Sequence, residues 1–340
     1  MLSRQDSFPT YAVEHPSSSG GAGDGHRQRE EPFDPLQDAD ALHAAVNGNR
    51  KDVVVDIVCR RSIADVSAIA DAFLQKYQQS MPYFIKSHMG GTDKYFLGVV
   101  TGCAAGSILE YDVRCLRVAM EGVGRDTDAL IEILVGRSDD EIRAIKSAYQ
   151  QIHGRALEVD LHKELHGSLR HFFEGLMNVE RRIATRQLDP EADARALFQA
   201  GEGRQGQDES VFIRILTERS QHHLKATFAA YTHLYRSTVD QAILKEFHGD
   251  LQKCFHLLVA SMYDRIGEVA MMFEKSMKGF GLNEGKLTRL VVRNRDPATR
   301  KAIKQVYLQR FSKPLMNRIV KETSGDFQRA LLACWGESGL

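Results

Sequence analysis

Residues 130–138 read LIEILVGRS, and similar stretches occur at residues 54–62 (VVDIVCRRS), 212–220 (FIRILTERS) and 287–295 (LTRLVVRNR). Each stretch has apolar residues at helical spacing and a basic residue near its end. A basic side chain suits the negative end of a helix dipole. Each stretch therefore predicts a helix, and their recurrence predicts an internal repeat.

A second marker follows each of these stretches, at residues 85–90 (IKSHMG), 161–167 (LHKELHG), 244–249 (LKEFHG) and 320–325 (VKETSG). The final glycines of these markers are separated by 77, 82 and 76 residues. Two markers in the same order and at nearly the same period predict four tandem repeats. We place repeat 1 at residues 39–110, repeat 2 at 111–185, repeat 3 at 186–263 and repeat 4 at 264–340.

The repeats have a helical sequence character. Only four prolines lie in residues 41–340, and apolar residues between them recur three and four positions apart. No stretch shows the alternation that is typical of a strand. The fold class predicted is therefore all-α, with several short helices in each repeat.

Composition excludes some kinds of protein. The 45 basic and 45 acidic residues cancel, so no global field attracts the chain to nucleic acid or to anionic lipid. Five cysteines without a CxxC pair argue against a disulfide framework and favour a reducing compartment. The longest uncharged stretch has 15 residues, fewer than the roughly 18–20 that cross a bilayer, and residues 1–30 contain no signal-like apolar run.

Residues 1–38 have a different composition from the rest of the chain. They are rich in Ser and Gly, contain four of the eight prolines and few large apolar residues, which predicts a disordered tail. Residues 1–40 carry three basic and eight acidic side chains, which makes the tail acidic and leaves the body mildly basic. The tail is either a solvated appendage or an arm that binds a protein partner.

Glycine-rich loops precede three of the repeated helices, at residues 120–126 (MEGVGRD), 200–208 (AGEGRQGQD) and 277–283 (MKGFGLN). Glycines at these spacings let a tight loop turn several carbonyl groups outward together. Asp126, Asp208 and Asn283 then suit a helix start. Convergent carbonyl oxygens are ligands that Ca²⁺ accepts, at roughly 2.3–2.6 Å.

A carboxylate recurs at a fixed distance from each loop. Glu164 lies 39 residues after Arg125, Glu246 lies 39 after Gln207, and Glu322 lies 40 after Leu282. Each acid stands three residues before a glycine that we expect to end its helix. Repeat 1 lacks the pattern, because its loop is Val46-Asn47-Gly48-Asn49 and the acid position is His88, a poor ligand for Ca²⁺.

The M-x-G-x-G loop, the repeated helix and the L-x-x-E-x-x-G helix end resemble the annexin family. The resemblance covers about residues 41–336, including the third loop and the closing LLACWG. It implies five helices per repeat, stacked in a slightly curved disc whose Ca²⁺ loops lie on the convex face and bind anionic phospholipid. It also implies these ligand sets: the carbonyls of Met120, Gly122 and Gly124 with Glu164; those of Gly201, Arg204 and Gly206 with Glu246; and those of Met277, Gly279 and Gly281 with Glu322.

The sequence departs from the family pattern beside these ligands. The Thr that usually follows the second loop glycine is Arg125, Gln207 or Leu282, and the aromatic residue of the third loop is Gln205. Because the carbonyl ligands belong to the backbone, these changes affect affinity and lipid preference more than mechanism.

Other motifs favour other functions only weakly. Residues 201–206 match GxGxxG, but a helix-like stretch precedes them and no βαβ unit surrounds them. His162 and His166 share a helix face without a third zinc ligand. No nucleophile–base pair or P-loop occurs, so we do not predict an enzyme.

Two functions follow from the sequence. The first is Ca²⁺-dependent binding to anionic, phosphatidylserine-like membranes. The protein would then be cytoplasmic and would associate reversibly with the cytosolic face of membranes, where copies of it could also associate with each other. The second is a Ca²⁺-independent helical scaffold that acts through its tail.

Replacing Glu164 and Glu322 together by Gln tests the carboxylate ligands. We expect the helical fold to persist and the Ca²⁺ concentration for half-maximal vesicle binding to rise several-fold or more, because each site loses its charged ligand. A calcium titration of vesicle co-sedimentation measures this, and an unchanged midpoint would contradict the assignment.

Overall fold

A computed structural model describes residues 33–121, 124–179, 188–203, 207–279 and 281–337. All regular secondary structure in these ranges is helical. The helices are α1 (Pro35–Asn47), α2 (Lys51–Val55, continued by a π-helix at Asp56–Arg60), α3 (Ile63–Tyr77), α4 (Met81–His88), α5 (Lys94–Cys103), α6 (Ile108–Met120), α7 (Thr127–Leu134), α8 (Asp139–His153), α9 (Leu157–Glu164), α10 (Gly167–Met177), α11 (Pro190–Ala200), α12 (Glu209–Glu218), α13 (Gln221–Tyr235), α14 (Val239–Glu246), α15 (Gly249–Met277), α16 (Glu284–Arg293), α17 (Pro297–Phe311), α18 (Leu315–Glu322) and α19 (Gly325–Cys334).

The order of helix lengths repeats four times, which confirms the all-α repeat prediction. A helix, a glycine-containing loop, a short helix, a long helix, an eight-residue helix and a closing helix follow one another in repeats 2, 3 and 4. The closing helix of repeat 3 and the first helix of repeat 4 form α15, which is kinked at Asp264 (φ −149°, ψ 71°). The predicted boundary between these repeats falls at this kink, and the four ranges remain predictions.

The predicted tail is too long at its C-terminal end. Helix α1 begins at Pro35, because Asp34 accepts hydrogen bonds from the backbone N–H groups of Leu36 and Gln37 and proline suits the first helical turn. Asp38 then pairs with Arg61 at 2.9 Å, which ties the start of α1 to the rest of the repeat. Residues 1–32, on which the rest of the tail prediction falls, lie outside the described residues.

The expectation that a glycine ends each acid-bearing helix is wrong. Helices α9, α14 and α18 end at the acid itself, and each glycine is the first residue of the next helix. Gly167, Gly249 and Gly325 have φ of +57°, +67° and +64°, a conformation that favours glycine. The chain therefore reverses directly after the carboxylate, which leaves the carboxylate at the end of the helix.

Two hydrophobic cores stabilise the repeats. One core combines buried residues of repeats 1 and 4 with Tyr111 at the start of repeat 2, and the other combines those of repeats 2 and 3. Trp335 is fully buried in the first core, where its ring packs edge-on against Phe273 and its Nε1–H donates to the carbonyl of Val291 at 2.9 Å. The closing sequence of repeat 4 is therefore anchored inside the first core by Trp335.

Charged side chains connect the halves of the fold that contain these two cores. Asp112 accepts hydrogen bonds from Arg137 at 2.7 Å and from Arg293 at 2.6 Å, although it is only 2% exposed. Arg293 also donates to the backbone carbonyl of Glu132 at 3.0 Å. These bonds join helices α6 and α7 of repeat 2 to helix α16 of repeat 4. Within the described ranges, no helix combines the length and apolar character that a bilayer span requires.

Glu141 is a partly buried acid at the edge of this cluster. Burial would raise its pKa, but hydrogen bonds from Arg265, from the backbone N–H of Ser138 and from Arg137 lower it to about 2. An acid with a depressed pKa stabilises the fold above its unfolded pKa of about 4.3, and this stabilisation is lost as the pH falls toward 2.

We therefore expect Glu141→Gln to lower the free energy of unfolding at pH 7 by about 1 kcal/mol, allowing for solvent screening. The difference should shrink as the pH falls from about 4.5 toward 2, and urea unfolding at several pH values measures it. Glu191→Gln, which breaks an exposed pair with Arg195, is the control and should change stability by only a few tenths of a kcal/mol. An equal loss for Glu141→Gln at pH 7 and pH 2.5 would contradict the ionic role.

Candidate metal centre

The three glycine-containing loops are closed by equivalent backbone hydrogen bonds. The N–H of Asp126 donates to the carbonyl of Ala119 at 2.9 Å, that of Asn283 to Ser276 at 2.9 Å, and that of Asp208 to Ala200 at 2.7 Å. In repeat 1 the corresponding bond joins Arg50 to Ala45 at 2.8 Å. It encloses two fewer residues than the bonds in repeats 2 and 4, so the first loop is too short to match them.

The helix starts predicted after the loops are confirmed. Asp126 accepts from the N–H of Ala129 at 3.0 Å, Asn283 from Lys286 at 2.9 Å, and Asp208 from Ser210 at 3.1 Å. These side chains cap the first turns of α7, α16 and α12. Each loop is thus fixed at both ends, by its closing hydrogen bond and by a capped helix.

The loop glycines are needed for their backbone conformation. Gly124, Gly279 and Gly281 have φ of +95°, +119° and +121°, and an added Cβ at any of them would meet no atom within 4 Å. The requirement is therefore conformational rather than steric. Gly201 differs, because its φ is −118° and a Cβ there would contact Phe212 at 3.4 Å. Gly122, Arg204 and Gly206 lie outside the described residues.

In repeat 4 the structure brings predicted ligands together around a positive group. Arg318 donates through Nη1 to a carboxylate oxygen of Glu322 at 2.6 Å and through Nη2 to the carbonyl oxygen of Met277 at 2.7 Å. One guanidinium thus bridges the acid at the end of α18 and a carbonyl at the start of the loop. These two predicted ligands, which are 45 residues apart in sequence, face a position that the Arg318 guanidinium occupies.

In repeat 2 the loop also meets the end of the acid-bearing helix. Arg125 donates to the backbone carbonyl of Glu164 at 2.9 Å, which places the loop beside the last residue of α9. The carboxylate of Glu164 contacts only Lys163 among the ion pairs of the described residues, at 3.4 Å, and that lysine is largely exposed. The loop carbonyls at Met120 and Gly124 thus belong to the same end of the repeat as the acid.

In repeat 3 the loop supplies a second acid that the sequence analysis missed. Lys245 lies 3.2 Å from Glu246 and 3.4 Å from Glu202, so both carboxylates face one ammonium group. Tyr231 donates to the other oxygen of Glu202 at 2.8 Å and orients that side chain. Burial and this hydrogen bond raise the pKa of Tyr231. The only sequence signal for Glu202 was its place between two loop glycines.

In repeat 1 the acid position is occupied by a histidine with local partners. His88 bonds through Nδ1 to the carbonyl of Phe84 at 3.0 Å, and its ring packs on Phe84 with centroids 4.2 Å apart. Repeat 1 therefore has an imidazole where repeats 2, 3 and 4 have a carboxylate.

The alternative motifs lie in other structural contexts within the described residues. Gly201 and Gly203 follow helix α11 rather than a strand, so the GxGxxG match lacks the context of a dinucleotide site. His162 pairs with Glu174 at 2.7 Å. In the part of the chain that the structure describes, no three His, Cys, Asp or Glu side chains cluster as a metal site. The predicted centres combine backbone carbonyls with one carboxylate in repeats 2 and 4, and with Glu246 and Glu202 in repeat 3.

The sequence model of the annexin family matches residues 37–97, 111–176, 192–258 and 268–334, one match in each repeat. Mouse annexin A13 is 34% identical over 316 residues, which covers 90% of this chain and 96% of that protein. Among solved structures, annexin III superposes with a TM-score of 0.78 at 27% identity, covering 92% of this chain and 98% of that one. Chicken annexin V superposes with a TM-score of 0.77 at 29% identity, covering 90% and 96%. The chain belongs to the annexin family.

Replacing Gly124 and Gly281 together by Ala tests the loop conformation. We expect vesicle binding to need roughly three- to tenfold more Ca²⁺, because alanine disfavours positive φ and the loop carbonyls would turn away. Gly154→Ala is the matched control, because it also has positive φ and open space but caps α8 away from the loops. An equal change in the control, or none in the double variant, would contradict this role.

Proposed function

We propose that this annexin binds anionic phospholipid membranes in a Ca²⁺-dependent manner through the loops of repeats 2, 3 and 4. The observation that carries the proposal is the convergence in repeat 4, where the Glu322 carboxylate and the Met277 carbonyl face one positive group at 2.6 and 2.7 Å. Ca²⁺-dependent phospholipid binding is the general property of the family, which supports the same conclusion.

The proposed ligands are the sets predicted from the sequence. Repeat 2 offers the carbonyls of Met120, Gly122 and Gly124 with Glu164, and repeat 4 offers those of Met277, Gly279 and Gly281 with Glu322. Repeat 3 offers Gly201, Arg204 and Gly206 with Glu246, and we add Glu202 as an acid beside that site. The oxygen donor sets fit Ca²⁺, because a hard cation prefers carbonyl and carboxylate oxygens.

Each loop alone should bind weakly. Neutral carbonyls with a single carboxylate give a low ligand charge, which corresponds to dissociation constants of about 10⁻⁴–10⁻³ M. When bound, Ca²⁺ supplies positive charge and coordination positions that lipid phosphate oxygens can fill. Metal and lipid binding to one site then strengthen each other reciprocally, and several such sites add through multivalency.

The charge balance of the chain agrees with this mechanism. With 45 basic and 45 acidic residues, the protein has no net attraction of its own to an anionic leaflet. Arg125 sits on the loop of repeat 2 and is held beside Glu164 by its hydrogen bond to the backbone. We propose that it keeps the loop end against α9 and presents positive charge to lipid head groups.

The proposal assigns the protein to the cytosolic face of membranes and assigns it no catalysis. The alternative is a Ca²⁺-independent scaffold that acts through its tail. Lys245 pairs with Glu246 and Arg318 pairs with Glu322. These ion pairs favour the alternative, because they compete with a metal ion for the carboxylates.

Co-sedimentation of the full chain with phosphatidylserine vesicles tests the function, using 1 mM Ca²⁺ in one arm and a chelator in the other. We expect the protein in the pellet only with Ca²⁺, because the metal joins loop oxygens to lipid phosphates. Phosphatidylcholine vesicles are the control for charge selectivity. Absence from the pellet in both arms would reject the proposal in favour of the scaffold.

A further inference from the structure

The residue one helical turn before the acid differs in every repeat. It is Phe84 before His88, Asp160 before Glu164, Ala242 before Glu246 and Arg318 before Glu322. Residues four apart on a helix lie on the same face, so this position is adjacent to the carboxylate. Only repeat 4 places a cation there.

Arg318 uses this position to reach both kinds of predicted ligand. Its guanidinium bonds to the side chain of Glu322, as a partner four residues away, and also to the Met277 carbonyl on a different helix. A guanidinium that forms charge-assisted bonds to a carboxylate and a loop carbonyl takes the electrostatic place of a bound cation. Ca²⁺ and Arg318 would therefore require the same two oxygens.

The third nitrogen of the Arg318 guanidinium lacks a hydrogen bond in this arrangement. Its Nε is buried without a hydrogen-bond partner. Arg293 provides a contrast, because its Nε and both terminal nitrogens all bind Asp112 or Glu132. An unpartnered buried N–H is unfavourable, so the hydrogen bonds of Arg318 are less complete than those of Arg293.

We propose that Arg318 is a built-in competitor that occupies the cation position of repeat 4 and lowers its affinity for Ca²⁺. This inference rests on the proposed function of the loops. Ca²⁺ binding must displace the guanidinium of Arg318, whose side chain is 22% exposed. The apparent affinity equals the intrinsic affinity multiplied by the fraction of molecules in which the site is free of Arg318.

Competition by Arg318 would give repeats 2 and 4 different affinities for Ca²⁺. In repeat 2 the corresponding residue is Asp160, which bonds to Arg117 at 2.9 Å and Tyr149 at 2.7 Å rather than to the loop. Among the described residues, the Glu164 carboxylate forms an ion pair only with the exposed Lys163, because Arg125 donates to the backbone carbonyl of Glu164 instead. Repeat 2 should therefore bind Ca²⁺ at lower concentration than repeat 4.

The opposite role for Arg318 makes an opposite prediction. If the residue serves only to hold α18 against the loop, its removal would loosen the site and weaken Ca²⁺ binding. A competitor, in contrast, restrains binding, and its removal strengthens it. The sign of the change in affinity therefore separates the two roles.

The experiment measures Ca²⁺ binding to the full chain by titration calorimetry without lipid, in a background with Glu164→Gln and Glu246→Gln that leaves repeat 4 as the proposed site. Arg318→Met is compared with Lys321→Met, which removes the same charge from an exposed position on the same helix. We expect Arg318→Met to lower the dissociation constant roughly three- to tenfold, as removal of a competitor predicts. Lys321→Met should change it less than twofold, because an exposed charge is screened.

Further variants distinguish competition by Arg318 from a loss of folding. Arg318→Gln retains a polar side chain and should tighten binding as Arg318→Met does, and far-ultraviolet circular dichroism checks that each variant is folded. Equal or weaker binding in folded Arg318 variants, relative to Lys321→Met, overturns the competitor role. Failure of the wild-type chain to bind Ca²⁺ with or without vesicles would instead reject the proposed function. Adding Glu322→Gln to the Arg318→Met chain should remove the gain.

Discussion

The buried contact between Asp112 and Arg293 is the interaction on which the arrangement of the loops depends. Arg293 is an arginine of repeat 4, and it bonds to a carboxylate of repeat 2 that is almost completely shielded from water. Burial lowers the pKa of Arg293, but the charges of Asp112 and Glu132 raise it above the ordinary value, so this guanidinium stays charged. Removing Arg293 would leave Asp112 bonded to Arg137 alone, and removing Asp112 would leave Arg293 with only the more distant Glu132. Losing a buried charged partner is more costly than losing a partner in a surface ion pair.

This contact also determines which loops lie near each other. Helix α6 carries Asp112 and ends at the loop of repeat 2, while helix α16 carries Arg293 and begins after the loop of repeat 4. A second bond, from Arg289 to Asp126 at 3.1 Å, joins α16 directly to the residue that caps α7. The hydrophobic cores hold repeats 1 and 4 together and repeats 2 and 3 together, whereas these polar bonds connect repeats 2 and 4. A membrane-binding face needs such a rigid relation between loops, because weak sites add only when they can engage together.

The structure places different side chains around the acids of repeats 2, 3 and 4, although the loop backbones are held in the same way. The closing hydrogen bonds and helix caps are nearly the same in three repeats. The side chains around the acids differ: an arginine bonds the carboxylate in repeat 4, a lysine lies between two carboxylates in repeat 3, and in repeat 2 an arginine bonds a backbone carbonyl. Affinity can thus change through neighbouring side chains while the loop backbone stays the same.

The sequence by itself determined the fold class, the repeat number, the helix starts and the family resemblance, because helical periodicity, glycine turns and capping residues act over a few neighbours. The regular sequence distances also paired each loop with one carboxylate. Tertiary structure decided the partners of the charged residues. Arg137 and Arg293 stand at equivalent helix ends in different repeats, and the sequence did not indicate that both bind Asp112 of repeat 2. The sequence also did not distinguish Arg318 from other basic residues, because its contact with Met277 depends on how α18 packs. Periodicity does not encode these pairings, because an ion pair depends on where distant helices pack and on how far each charge is removed from water.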